Sequence, residues 1–411
     1  MIHSLFGWWR EGTPEARRAL IAAWLGWMLD AFDVMLYALV LKSIQDDLGI
    51  TKSVAGALGS ATLLASAAGG ILFGFIADRK GRTRALIASV LIYSIFTAAC
   101  GLAQTVAQLA VFRILLGIGM GGEWASGAAL VSETWPAEHR GKALGFMQSA
   151  WAVGYGAAAA VTGLLLPIWG WRGVFFIGIL PAFFTLWVRR NVEEPEIWKA
   201  MRRQPIASRA RFADIFRGGM LRLTLAVTIM NGFTMFAWWG FNQWLPTYLR
   251  EPAASGGIGL SAQTMSAFVV AMQVGMWFGY VTFGFIGDAL GRKRAYVIYT
   301  VTAAAFIFIY ISVRNPIALL LLGPFVAFFA TGYFSGFGAV TAEIYPTGIR
   351  AAAQGFTYNI GRIASAAAPF VVGTLADTRG FAVALSLTGI AFLLAAATWI
   401  WIPETRGRKL A

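Results

Sequence analysis

Five charged side chains stand inside otherwise apolar runs, and they are of two kinds. Asp30, Asp33 and Glu123 are acids; Arg113 and Arg362 are bases. A charge at the centre of a bilayer costs roughly 2.5–3.5 kcal/mol on insertion scales, so each needs a reason to be there. Asp30 and Asp33 lie well inside the first apolar run at i,i+3 spacing, which puts both carboxylates on one helix face. Two such carboxylates in a low dielectric cannot both ionise readily, so the pair is a candidate proton-binding site, with Glu123 as a second. Arg362 is the only ionisable residue deep within an apolar run of the C-terminal half. Its guanidinium is a rigid, permanently charged fork that fits a carboxylate, which makes it the candidate anion clamp. Arg113, nearer the end of the fourth run, suits a structural or relay role as well as substrate contact.

Neutral groups complete the candidate set. Asn231, Asn242, Gln243, Tyr358 and Asn359 can hydrogen-bond substrate, and Trp151, Trp238, Trp239 and Tyr333 can wall a cavity. The same residue types also bridge and pack helices.

The elements that must position these groups are membrane spans. The chain has 411 residues, 58% hydrophobic and only 13% charged, with a mean hydropathy of +0.67. Soluble proteins carry about 25% charged residues. That balance excludes a soluble enzyme, a nucleic-acid binder and an outer-membrane barrel. Runs of 18 or more apolar residues predict twelve transmembrane helices, near 20–41, 54–77, 85–104, 106–131, 142–166, 171–188, 222–249, 262–287, 295–312, 316–342, 351–375 and 381–402. The expected organisation is a cytoplasmic N-terminus (1–19), a six-helix half (20–188), a basic linker (189–221), a second half (222–402) and a cytoplasmic C-terminus (403–411). With the N-terminus placed inside, 25 of the 33 Lys and Arg fall on the cytoplasmic side and 6 on the other. That asymmetry predicts both termini in the cytoplasm and accounts for the net charge of +14 without nucleic acid.

The chain repeats itself at an offset of 210. Gly74-Phe-Ile-Ala-Asp78-Arg-Lys-Gly81-Arg82 recurs as Gly284-Phe-Ile-Gly-Asp288-Ala-Leu-Gly291-Arg292. Glu133, Pro136 and Arg140 recur as Glu343, Pro346 and Arg350. Two duplicated halves with a site between them is the architecture of rocking secondary transporters. Asp78 and Asp288 can cap the positive N-terminus of a span from the opposite half, closing a cytoplasmic gate that Arg82, Arg292, Glu133, Glu343, Arg140 and Arg350 order. At the same offset Asp30 and Asp33 meet Gly240 and Gln243, and Arg362 meets Ala152. The halves have diverged to acid in one and base in the other.

These loops resemble the Gly-x-x-x-Asp-x-x-Gly-Arg-[Arg/Lys] mark of the major facilitator superfamily, over essentially the whole chain. Ala22-Ala-Trp24-Leu-Gly26-Trp-Met-Leu-Asp30-Ala-Phe32-Asp33, Gly119-Met-Gly-Gly-Glu123-Trp124 and Trp169-Gly-Trp171-Arg172 resemble the sialate:proton symporter family. Val192-Glu-Glu-Pro195-Glu196-Ile-Trp198 also occurs in the related aromatic-acid:proton symporters. Where fungal lactate permeases carry Asn-x-x-[Ser/Thr]-His-x-[Ser/Thr]-Gln-Asp, this chain keeps Asn231 and Thr234 but has Met235, Trp238 and Trp239. The resemblance implies an all-α membrane protein of twelve helices in two pseudo-symmetric halves, importing a small organic anion with protons. Its expected location is the inner membrane, as a monomer. The alternative is a proton-coupled exporter of amphipathic compounds, whose fifth-span glycine-proline motif is missing between Gly145 and Gly163.

No cofactor and no metal are expected, since the sequence has no Walker A lysine loop, no HExxH and no Cys/His cluster. Gly117-Ile-Gly119-Met-Gly121-Gly122 follows no strand and predicts close helix packing instead.

Overall fold

The computed structural model describes residues 8–194, 215–345 and 347–406; most of the expected linker falls outside, as do the side chains of Asp78, Arg140 and Arg350. Backbone polar groups within lipid must bond within their own segment, so the long apolar runs form helices. The first half holds α1 (Pro14–Leu48), α2 (Lys52–Lys80), α3 (Arg82–Cys100) and α4 (Val106–Thr134). The next hydrogen-bonded stretch, Ala137–Phe176, turns at Gly170 (φ 63°, ψ −176°), a conformation that favours glycine. It therefore supplies both α5 (137–169) and the start of α6 (171–191). The second half holds α7 (Gly218–Arg250), α8 (Ala262–Leu290) and α9 (Arg292–Ser312). Then come α10 (Pro316–Thr331 and Tyr333–Ile344), α11 (Thr347–Ser365 and Ala367–Arg379) and α12 (Phe381–Thr398).

Ten helical stretches among the described residues are each long and apolar enough to cross a membrane. Dividing the longest at Gly170 and joining the two pieces of α11 gives the twelve expected spans. Side-chain caps fix where several begin. Thr13, Thr51, Thr105 and Ser261 each accept a bond from the backbone N–H three residues on.

Glycines set how closely spans approach. A Cβ at Gly117 or Gly121 would collide with the carbonyl of Thr62 or Ser66, so α2 and α4 touch backbone to backbone. The glycine-rich run of α4 is a packing surface, as its position predicted. The two ends of the bundle are distinct. One, the terminal face, carries the described chain ends and the turns at Gly81 and Gly291; the other carries the turns at Gly49, Gly170 and Gly380.

Candidate substrate and proton sites

A cavity enclosing about 400 Å³ of non-atom space, part of it open to solvent, lies between the halves. Trp27, Gln148 and Trp151 line it from the first half, and Trp238, Trp239, Phe334, Tyr358 and Arg362 are among the lining from the second. A Cβ at Gly154 would collide with the Met28 carbonyl, so α5 lies directly against α1 and brings Trp151 to Trp27. Four indoles meet there: the Trp151 ring lies 4.7 Å from Trp27, 5.6 Å from Trp238 and 6.1 Å from Trp239. The Nε1 donors of Trp27, Trp151 and Trp238 are buried and hold no hydrogen bond among the described residues. Among the described residues the cavity thus has aromatic walls and one cation.

That cation is Arg362, 4% exposed, one turn before the break in α11 at Ala366. It makes no ion pair within 4.0 Å among the described residues, and it interacts electrostatically with Asp30 across the interface. Asp30, Asp33 and Glu123 are all fully buried; the carboxylate oxygens of Asp30 and Glu123 have no hydrogen-bond partner among the described residues, and Thr97 is the side-chain partner at Asp33. Glu123 leaves α4 to meet α1 at Gly26, where a Cβ would come within 2.5 Å of its Oε1. The structure therefore joins all three acids into one cluster behind the cavity, with Asp30 nearest in charge to the base.

Of the sequence candidates, Arg362, Tyr358, Trp151, Trp238 and Trp239 line the cavity. The others are placed off its wall. Arg113 lies flat over the Tyr37 ring at 3.7 Å, and Tyr37 in turn donates to the Ala55 carbonyl at 2.8 Å. These contacts link α4, α1 and α2. Asn231 Nδ2 donates to the carbonyls of Thr357 and Tyr358 at 3.1 and 3.4 Å, which ties α7 to α11 and holds Tyr358. Asn242 bonds back to the Trp238 carbonyl and Asn359 to that of Gly355. Gln243 packs over Gly59, and Tyr333 stacks on Phe334 at 4.6 Å while donating to the Thr234 carbonyl. Trp27 and Phe334 join the lining without having been singled out; their spacing alone is that of ordinary packing residues.

The gates differ between faces. At the terminal face, Arg82 donates to Glu133 at 2.9 Å and Arg292 to Glu343 at 3.2 Å. A carboxylate then closes each turn. Glu194 accepts from the backbone N–H of Thr83 and Arg84, and Glu404 from those of Arg292 and Lys293. Burial alone would raise the Glu404 pKa, but its backbone donors hold it below the ordinary carboxylate value. Asp288, at the end of α8, pairs at 2.6 Å with Arg292, the first residue of α9, rather than capping a span of the other half. In this conformation every hydrogen bond and ion pair described at the terminal face stays within one half.

The opposite face is bridged. Asp377 of α11 accepts from the N–H of Lys52 and Ser53 at 3.2 and 2.7 Å, capping α2 of the other half. Lys52 also pairs with Glu251 at 3.5 Å, Lys42 with Glu251 at 3.8 Å, and Arg250 donates to Ser43 at 2.9 Å. Cross-half capping by an aspartate, expected at the other end, occurs here.

These features define a class of protein. The Major Facilitator Superfamily sequence model matches residues 23–260 and 251–411, and the chain belongs to that superfamily. It is a multi-pass membrane transporter and not an enzyme. More particularly, it is 32% identical to the sialic acid transporter NanX of Escherichia coli over 94% of this chain and 93% of that one. It is 31% identical to the cis,cis-muconate transport protein of Acinetobacter baylyi, over 94% of each. Its fold matches a crystal structure of a D-xylose-proton symporter with a TM-score of 0.78 at 21% identity, over 96% of this chain and 100% of that chain.

Proposed function

We propose that this protein imports a small organic acid across the inner membrane together with protons, by alternating access. The observation that carries the reading is Arg362 on the cavity wall, facing Asp30 of a three-acid cluster in the opposite half. A carboxylate substrate takes the guanidinium fork through paired charge-assisted bonds while its apolar body lies against the indoles. An ionised Asp30 competes for Arg362 and repels the arriving anion. Protonation of the cluster removes both effects, so proton and substrate binding favour one another.

Both named relatives carry carboxylic acids, sialic acid and muconate, which supports that substrate class for this chain. The charge asymmetry of the loops supports a cytoplasmic terminal face. On that reading the described bonds between the halves lie on the outer face, which supports an inward-facing conformation. One chain supplies both sides of the cavity, so a monomer suffices.

Uptake by proteoliposomes of purified protein tests the reading, with cis,cis-muconate and sialic acid as probes. An imposed inward proton gradient should drive accumulation of a carboxylate above its outside level, and collapse of the gradient should release it. No accumulation of any organic acid under a gradient, with export instead, would overturn it.

A further inference from the structure

Tyr93 of α3 is not among the residues that line the cavity, yet it interacts electrostatically with Asp30, Asp33 and Glu123. It is fully buried, and its hydroxyl holds no hydrogen bond among the described residues. Packing explains why it sits there. A Cβ at Gly119 of α4 would lie 2.6 Å from the Tyr93 nitrogen, and Gly119 is one turn before Glu123. On its own helix Tyr93 is one turn before Thr97, and Thr97 and the Asp33 carboxylate meet over Gly178, the latter 3.2 Å from where a Cβ would stand. Glu123 meets α1 at Gly26, one turn before Asp30. Tyr93 thus lies on α3 where that helix packs against the acid-bearing stretches of α1 and α4.

We propose that the Tyr93 hydroxyl links Asp30, Asp33 and Glu123 into a single proton-sharing cluster. The proposal rests on the reading of these acids as the coupling site. A phenol donates one hydrogen bond while accepting another. When one carboxyl is protonated, its O–H donates to the Tyr93 oxygen as the Tyr93 O–H donates to a second carboxylate. A concerted shift then breaks two O–H bonds and forms two. One proton moves from acid to acid, and the tyrosine stays neutral. Closing the gaps in this conformation takes side-chain rotation or one bridging water. The charged groups facing the cluster from outside it are Arg362, beside Asp30 with Tyr358, and Arg113, beyond Asp33 near Cys100. Tyr93 is a positioning residue for proton transfer and touches no substrate.

The test is pH-difference infrared spectroscopy of the full chain in lipid nanodiscs, which needs no substrate. The wild type should show a protonated-carboxyl C=O band that disappears as pH rises and is weakened by Asp30→Asn, Asp33→Asn or Glu123→Gln. Tyr93→Phe removes only the hydroxyl, so the band should move to higher frequency as its hydrogen bond is lost. Replacing Tyr93 by 3-fluorotyrosine keeps the shape but makes the phenol oxygen a weaker acceptor, and should move the band the same way by a smaller amount even if Tyr93→Phe fails to fold. A carboxyl band indifferent to both changes would overturn the relay while leaving the coupling site intact. A wild type with no titrating carboxyl band would overturn the coupling reading and the relay with it.

Discussion

The two halves agree at their edges and disagree at their centre. At the terminal face, Arg82–Glu133 and Arg292–Glu343 are the same bond made twice. Glu194 beneath Gly81 and Glu404 beneath Gly291 are the same helix cap, again 210 residues apart. At the centre the first half holds three buried acids, its buried Arg113 lying over Tyr37, while among the described residues the charge on the cavity wall is Arg362 of the second. Duplication has kept the mechanics, which both halves need to rock, and released the interior to specialise. Acid and base placed on opposite sides of one cavity can then exchange partners with an anion and a proton, which a symmetric centre could not do.

The comparison is broken most severely at Arg362. Arg362→Ala should weaken carboxylate binding by about 2–5 kcal/mol, about thirtyfold or more, since truncating one side of a buried charge pair costs that much. Arg362→Lys should restore little, because the planar fork is lost. Calorimetry or thermal-shift titration of folded protein checks both; unchanged affinity in Arg362→Ala would remove it from the site.

Next comes the bridged face. Glu251 and Asp377 together hold Lys42 and Lys52 across the interface. Each partly exposed pair contributes about 0.2–1 kcal/mol, so Glu251→Gln with Asp377→Asn should shift the conformational balance by several-fold rather than abolish binding. Probe-to-probe distances across that face should lengthen, and a distribution identical to wild type would mean the bridge is incidental.

Arg82→Gln and Arg292→Gln should slow turnover to similar degrees, since each removes an equivalent bond, with affinity nearly unchanged. Unequal effects on transport kinetics would show that the edges have diverged as well.

The smallest effect is expected at Glu404. Its pKa is depressed below the ordinary 4.5, so its contribution is present above that value and lost as pH falls through the folded-state pKa. Glu404→Gln should lower thermal stability slightly near neutrality, and the difference from wild type should vanish in acid.

Much of this was legible in the chain because a charge inside an apolar run is a local signal. Asp30, Asp33, Glu123 and Arg362 announced themselves that way, and the 210-residue offset exposed their asymmetry. Groups whose role depends on which helices touch were not legible. Tyr93 and Trp27 look like packing residues until Gly119 and Gly154 bring their neighbours close. Glu194 lay in a recognised motif, but only the folded turn shows it capping α3. Asn231 and Asn359 looked like ligands for substrate because an amide in a span has the same sequence appearance whether it bridges helices or faces a cavity. The break in α11 at Ala366 is marked by Pro369, which has no N–H for the Ser365 carbonyl and whose ring clashes with it.

The central claim is a division of labour: the base binds and the acids couple. It is tested most directly by measuring, in the same proteoliposomes, gradient-driven accumulation and substrate exchange for Asp30→Asn and Asp33→Asn. Asparagine imitates the protonated acid, so at least one variant should lose accumulation while exchange stays near the wild-type rate. Substrate affinity in the wild type should also fall as external pH rises, and that variant should be insensitive to it. If both variants still concentrate substrate under a proton gradient, the acids of α1 do not couple, and the account is contradicted.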